Sequence, residues 1–308
     1  MIKPYSSLLA LGVVLGSALG CAAEDTDKAG LIVSIQTDFS VPKDIDQVRL
    51  EVSAKGDVRF GSTLRIGEGE LLLPATLVVL PAESGPGNVT VRVISYQANG
   101  EARTLRRVDT QVPDSREALL RMPVEWLCDG QVEAVTAGSE TSSCPTGQSC
   151  VAGRCASDKV DASTLPDYAD SDVYGGGTAD GSGRCFDTTA CFAKRNAVGD
   201  ALDLESCTAP ASELRGAQLG TLNLAVALGP GGDGICEEGD AGECFIPLDQ
   251  DDVTGWRLEG DTVHFPPALC EKLELPSAPE LVQSDSCDTK TARTPTCGPW
   301  SITSEPAP

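Results

Sequence analysis

Histidine and aromatics are nearly missing from this chain: one His, two Met, six Phe, four Tyr and three Trp in 308 residues. A single imidazole excludes His-rich metal centres and leaves proton transfer to carboxylates. With aromatics at 4%, any core must be built from Val, Leu, Ile, Ala and Cys. Bases are scarce too: 23 Lys and Arg face 46 Asp and Glu, a net charge of −23. That charge excludes nucleic acid as a partner and opposes general adhesion to an anionic membrane. Long apolar runs are absent. The longest, Leu8 to Leu15, falls well short of the roughly 20 residues of a spanning helix. What is plentiful is turn chemistry, with 32 Gly and 20 Pro, which excludes long helices.

The N-terminus reads as an address. Lys3 is the only charge before Glu24, the apolar run follows, and Ser17-Ala18-Leu19-Gly20-Cys21 closes it. This is the layout of a secretory signal over 1–20. The segment resembles the lipobox of bacterial lipoproteins, with Ala18 where Leu is commoner. The resemblance implies cleavage before Cys21 and lipidation of that residue. Ala22, where Asp would signal retention in the inner membrane, implies the outer membrane. Residues 21–29 are then anchor and spacer.

Beyond Cys21 no Cys occurs until 128, and twelve follow: Cys128, Cys144, Cys150, Cys155, Cys185, Cys191, Cys207, Cys236, Cys244, Cys270, Cys287 and Cys297. An even number in an exported chain predicts up to six disulfides, with pairing left open among about ten thousand possibilities. Charge divides at the same place. Residues 30–126 carry 11 basic and 13 acidic side chains, a net of −2, and 127–308 carry 10 and 30, a net of −20.

In the first half Val48, Leu50 and Val52 alternate with polar residues, as do Val89, Val91 and Val93 and Leu31, Val33 and Ile35. Period two with turn clusters between predicts six or seven short strands over 30–127, an antiparallel β-sandwich whose charged residues are solvated strand faces. The runs LPATLVVLP and NVTVRVISYQANGE resemble immunoglobulin-like and fibronectin III-like modules, which implies that fold and no binding site. The second half predicts a small disulfide knot at 128–155, a linker at 156–183, an acidic, loop-rich cysteine module at 184–301 and a tail at 302–308. The fold class expected is mainly β. As a whole the chain resembles cysteine-rich envelope lipoproteins of Gram-negative bacteria, which implies a location and no activity.

Candidate chemistry is thin. No CxxC exists and His264 stands alone, so zinc and dithiol redox sites lack ligands. His264 has no GxSxG elbow to serve. Ser40-Val-Pro-Lys43 matches SxxK without SDN or KTG, and Gly229 to Gly234 matches GxGxxG without a helix to open. Trp126, Trp256 and Trp300 would stack on sugars if exposed. The densest feature is acidic: Asp233, Glu237, Glu238, Asp240, Glu243, Asp249, Asp251 and Asp252 put eight carboxylates into twenty residues, with Asp167, Asp170 and Asp172 a smaller set. Ca²⁺ takes six to eight oxygens from such turns, so calcium is the one cofactor to weigh, without EF-hand spacing. The expectation is a lipid-anchored envelope protein of structural or binding role. Its membrane contact runs through the lipid, and a protein or glycan is the possible partner. A calcium-dependent adhesion module and a carboxylate hydrolase stand as alternatives.

Overall fold

The computed structural model describes residues 29–82, 87–134, 139–237, 242–274 and 279–307. Cys21 lies outside them. Strands β1 (Gly30–Ile35), β2 (Gln47–Ala54), β3 (Asp57–Arg65), β4 (Ala75–Val79), β5 (Asn88–Tyr96), β6 (Ala102–Gln111) and β7 (Glu117–Arg121) build two sheets, ordered β4-β1-β7 and β3-β2-β5-β6. All pair antiparallel except β1 and β7, which run parallel with Leu31 beside Ala118. The alternating residues do the work expected of them: Leu31, Val33 and Ile35 face Val48, Leu50, Val52, Val91 and Val93 in one dry core.

The second half is strand-rich but finely divided. The knot holds two hairpins, β8 (Val132–Ala134) with β9 (Glu140–Ser142) and β10 (Gln148–Val151) with β11 (Arg154–Ser157). After it come β12 (Arg184–Cys185), α1 (Thr188–Phe192), β13 (Asn196–Ala197), β14 (Thr208–Pro210), β15 (Asn223–Leu228), β16 (Ile235–Cys236) and β17 (Cys244–Leu248). Then follow β18 (Arg257–Glu259), β19 (Thr262–His264), α2 (Pro267–Leu273), β20 (Glu280–Ser284) and β21 (Glu305–Pro306). A five-stranded sheet, β13-β20-β15-β17-β16, centres on the fully buried Leu224 and Val226, and a smaller one is ordered β14-β19-β18.

The compositional change near 127 crosses no gap in the packing. One apolar core runs from Leu31 through Trp126 and Leu127 to Leu224, Ile246, Leu269 and Trp300. The stretch 156–183 lies along the sandwich, with Lys159 bridging to Asp109, Asp167 to Ala118, and Tyr174 buried beside Leu119. The tail returns as well, since Glu305 and Pro306 pair with Arg184 and Cys185.

The charged residues of the sandwich are not all solvated, contrary to expectation. Glu51 is 5% exposed between Arg49 and Arg92, and Asp44 and Arg103 are buried as well. The reason is coverage: the knot packs against β6 and meets Arg92 through Glu140 O, and the Gly232–Gly234 loop closes over Asp44, so these side chains meet protein where a lone sandwich would offer water.

All twelve cysteines after Cys21 are paired. Cys128–Cys150 and Cys144–Cys155 close the knot. In the acidic module Cys185–Cys297 encloses Cys191–Cys287, which encloses Cys207–Cys270, which encloses Cys236–Cys244. The outer two close loops of 112 and 96 residues, each worth on the order of 4–5 kcal/mol in a chain-entropy account. Non-reducing digestion with mass analysis should therefore recover four nested pairs from the module and two from the knot. A peptide joining Cys128, Cys144, Cys150 or Cys155 to any cysteine from Cys185 onward would contradict this connectivity.

Candidate functional site

Two motifs considered separately in the sequence meet at the seam between the halves. Residues 40–44 form a turn in which the Ser40 amide donates to Asp44 Oδ2 at 2.8 Å. The Gly234 amide donates to the same oxygen at 2.6 Å, and Lys43 Nζ donates to Gly232 O. Lys43 and the adjoining Asp44 thus clasp the GxGxxG loop, with the Ser40 amide bracing Asp44. Gly234 is required there: its φ is +89° and a Cβ would sit 2.3 Å from Phe245 O. Asp44 is 2% exposed, and burial raises its pKa against the pull of Lys43 and the two amides. Neither motif frames a nucleophile or a nucleotide.

Asp233, the residue inside that loop, is the centre of a second contact. Arg103 donates to its two oxygens from Nη1 at 2.9 Å and Nη2 at 3.0 Å, and Trp126 Nε1 donates at 3.0 Å. Arg103 also donates from Nε to Asp129 at 2.8 Å and lies 4.8 Å over the Phe39 ring. Burial works to raise the Asp233 pKa, but the guanidinium outweighs it and holds the carboxyl below its ordinary value.

The remaining acidic candidates are dispersed rather than gathered. Glu237 and Glu243 both bind Arg195, the former at 2.8 Å. Asp249 pairs with Lys290. Asp251 caps its own turn through the amides of Val253 and Thr254, both at 2.8 Å. Asp252 points to solvent, and Glu238 and Asp240 lie outside the described residues. The smaller set divides likewise, with Asp167 on Arg116, Asp172 on Arg293 and Asp170 on the Tyr168 hydroxyl. Among the described residues no group of three or more His, Cys, Asp and Glu side chains is placed to hold a metal ion. His264 faces Glu259 at 3.5 Å and pairs with none of the 233–252 carboxylates among the described residues. Trp126, Trp256 and Trp300 are all buried, so none is a sugar platform.

The unusual chemistry sits elsewhere, in Asp38 and Glu125. Both line a cavity of about 40 Å³ between the halves, with Asp249 and Lys290 in the same wall. Asp38 accepts from the Trp126 amide at 2.9 and 3.1 Å. Glu125 accepts from the Ala152 amide at 3.2 Å and lies 4.0 Å from Arg106, whose Nε and Nη1 are enclosed without a hydrogen-bond partner. Burial raises the Asp38 carboxyl well above the usual range, and Glu125 adds to the shift. Burial also pushes Glu125 up to about 7, against the attraction of Arg106. Raised carboxyls suit acid–base work, but the room decides against it. A cavity this size holds a water or two, whereas ligand pockets run to several hundred Å³. No sequence signal marked these two acids, which stand in the connections that follow β1 and β7. Comparison with known protein families, with curated proteins and with solved structures finds no match.

Glu125 makes stability depend on pH. Its folded pKa lies above the unfolded value, so its contribution is full below about 4.5 and is lost as pH rises through 7. Thermal unfolding should therefore fall from pH 5 to pH 8 in the native protein. Glu125→Gln keeps the acceptor for Ala152 and should fall less, gaining on the order of 3 kcal/mol at pH 8 relative to pH 5. A variant with the native pH slope would show that Glu125 is not the titrating group.

Proposed function

We propose that this chain is a lipid-anchored protein of the cell envelope, with a structural or binding role and no catalytic centre, held to the outer membrane through Cys21. The observation that carries the reading is the cysteine arithmetic. The twelve cysteines beyond the lipobox all find partners within the fold, which leaves Cys21 as the one thiol with a different task. Six disulfides suit an oxidising compartment outside the cytoplasm. Among the described residues no helix is long and apolar enough to cross a membrane, so attachment falls to the lipid. Two or three acyl chains give stable anchoring where one gives only marginal binding.

The interior supports a scaffold rather than an enzyme. Its polar groups at the seam bind one another, its two raised carboxyls face a cavity without room for substrate, and its one histidine pairs with a surface glutamate. A partner, whether protein or glycan, would then meet the outer surface of a stiff body.

Intact mass of the detergent-extracted protein, alkylated with and without reduction, tests the reading. The expected result is loss of residues 1–20, added acyl mass, and alkylation of twelve thiols only after reduction. A chain with no acyl mass, or with several thiols free before reduction, would refute it.

A further inference from the structure

One end of the sandwich combines the point where the described chain begins, a polar groove, and a rim of uncovered apolar side chains. The Gly30 amide donates to Arg116 O at 3.1 Å. The Arg116 guanidinium donates onward to Ala162 O at 2.8 Å and Leu165 O at 3.0 Å. Ala162 forms part of the wall of a groove of about 520 Å³, completed by the adjoining ends of β2, β5 and β6.

Lys55 from the β2–β3 turn and Lys159 from the segment beside β6 both line this groove. Both are exposed, and neither ammonium has an ion-pair partner among the described residues. Asn88 and Gln111 add side-chain amides, and Thr110 lines the same groove with a buried hydroxyl that has no hydrogen-bond partner. The two carboxylates of the lining, Asp109 and Asp161, are engaged by partners other than the lysines, and Arg107 serves Asp158 as well as Asp109. Asp109 is engaged on one oxygen by Thr90 at 2.6 Å and on the other by Arg107 at 2.7 Å. Asp161 accepts from the Ser163 amide at 2.9 Å and from the Ser163 side chain, and stays at the surface. The groove thus offers two cations without ion-pair partners among the described residues, neutral donors, and a surface carboxylate that can accept from a hydroxyl. Those are the partners of a phosphodiester that carries hydroxyl groups.

The apolar rim belongs to the same end. Leu80 is 70% exposed, Val58 62% and Val78 52%. Val78 and Leu80 are the side chains nearest Gly30, and Val58 follows the turn that holds Lys55. Exposed apolar side chains beside free lysines are the composition of a surface that rests in a lipid interface. Chain length agrees. Eight residues separate Cys21 from Gly30, a reach of about 28 Å when fully extended.

Resting on the proposed anchor at Cys21, we infer that this end of the sandwich is the membrane-facing surface. Its groove takes the phosphodiester and hydroxyls of an anionic phospholipid headgroup, while Leu80, Val78 and Val58 enter the interface. The net charge of −23 opposes adhesion of the molecule as a whole, but it resides almost entirely beyond residue 127. Repulsion of that half from the same surface turns it outward and sets the orientation.

The test uses the acylated full protein in vesicles of phosphatidylcholine, with and without phosphatidylglycerol, and reads amine acylation lysine by lysine. Labelling of Lys55 and Lys159 should fall about fivefold in the anionic vesicles, the worth of one lysine near such a surface. Lys194, exposed on the acidic module, should label equally in both. Equal labelling of Lys55 and Lys159 in the two vesicle types would overturn the inference. Protection by inorganic phosphate in phosphatidylcholine vesicles would also overturn it, by assigning the groove to a soluble ligand. Intact mass of the same sample reads the anchor separately, and vesicles added to a non-acylated chain still report on the groove. Failure of the anchor and failure of the groove are therefore distinguishable.

Discussion

The Arg103 guanidinium, 8% exposed on β6, grips Asp129 at the start of the knot and Asp233 in the acidic module at once. It reaches three parts of the chain that lie far apart in sequence. Without the guanidinium, the direct hydrogen bond left to Asp233 among the described residues would be that of the Trp126 indole N–H, with Lys43 acting only at longer range. Stripping the partner from a buried ion pair costs about 3–5 kcal/mol, and partial exposure of Asp129 and Asp233 puts this pair at the lower end. The neighbouring clasp of Lys43 and Asp44 on the Gly232–Gly234 loop depends on the same docking, because the loop that carries Asp233 supplies its carbonyl and amide.

Around that contact the rest of the architecture follows. A module divided into short strands with long connections is held by four nested disulfides that restrict the unfolded chain. The sandwich supplies the remaining apolar surface, so Trp126, Leu127, Leu269 and Trp300 close one continuous core. A body stiffened in this way has little interior space to lend to chemistry. The groove at the end of the sandwich, about 520 Å³, is wider than the cavity at the seam and opens at the surface.

The sandwich was legible because its physics is local. Val48, Leu50 and Val52 alternate on β2, and the same period marks β1 and β5. The parallel pairing of β1 with β7 left no such trace, since register between distant strands is set by the whole sheet. The ion pairs of the acidic cluster left no trace for the same reason. Eight carboxylates in twenty residues raised calcium as the one cofactor to weigh, while the partners of Asp233, Glu237 and Asp249 are Arg103, Arg195 and Lys290, up to 130 residues away. The nested pairing of cysteines was equally invisible, since spacing alone does not choose among connectivities. Asp38 and Glu125 carried no signal at all, because their raised pKa values come from burial that only the joined halves create.

Joining of the halves is thus the central claim, and scanning calorimetry of the disulfide-intact protein beside Arg103→Met tests it directly. A single transition with equal calorimetric and van't Hoff enthalpies, moved to lower temperature as a whole in the variant, is the predicted result. Two separate transitions in the native protein, or a variant in which only one part of the endotherm moves, would show that the sandwich and the acidic module fold independently.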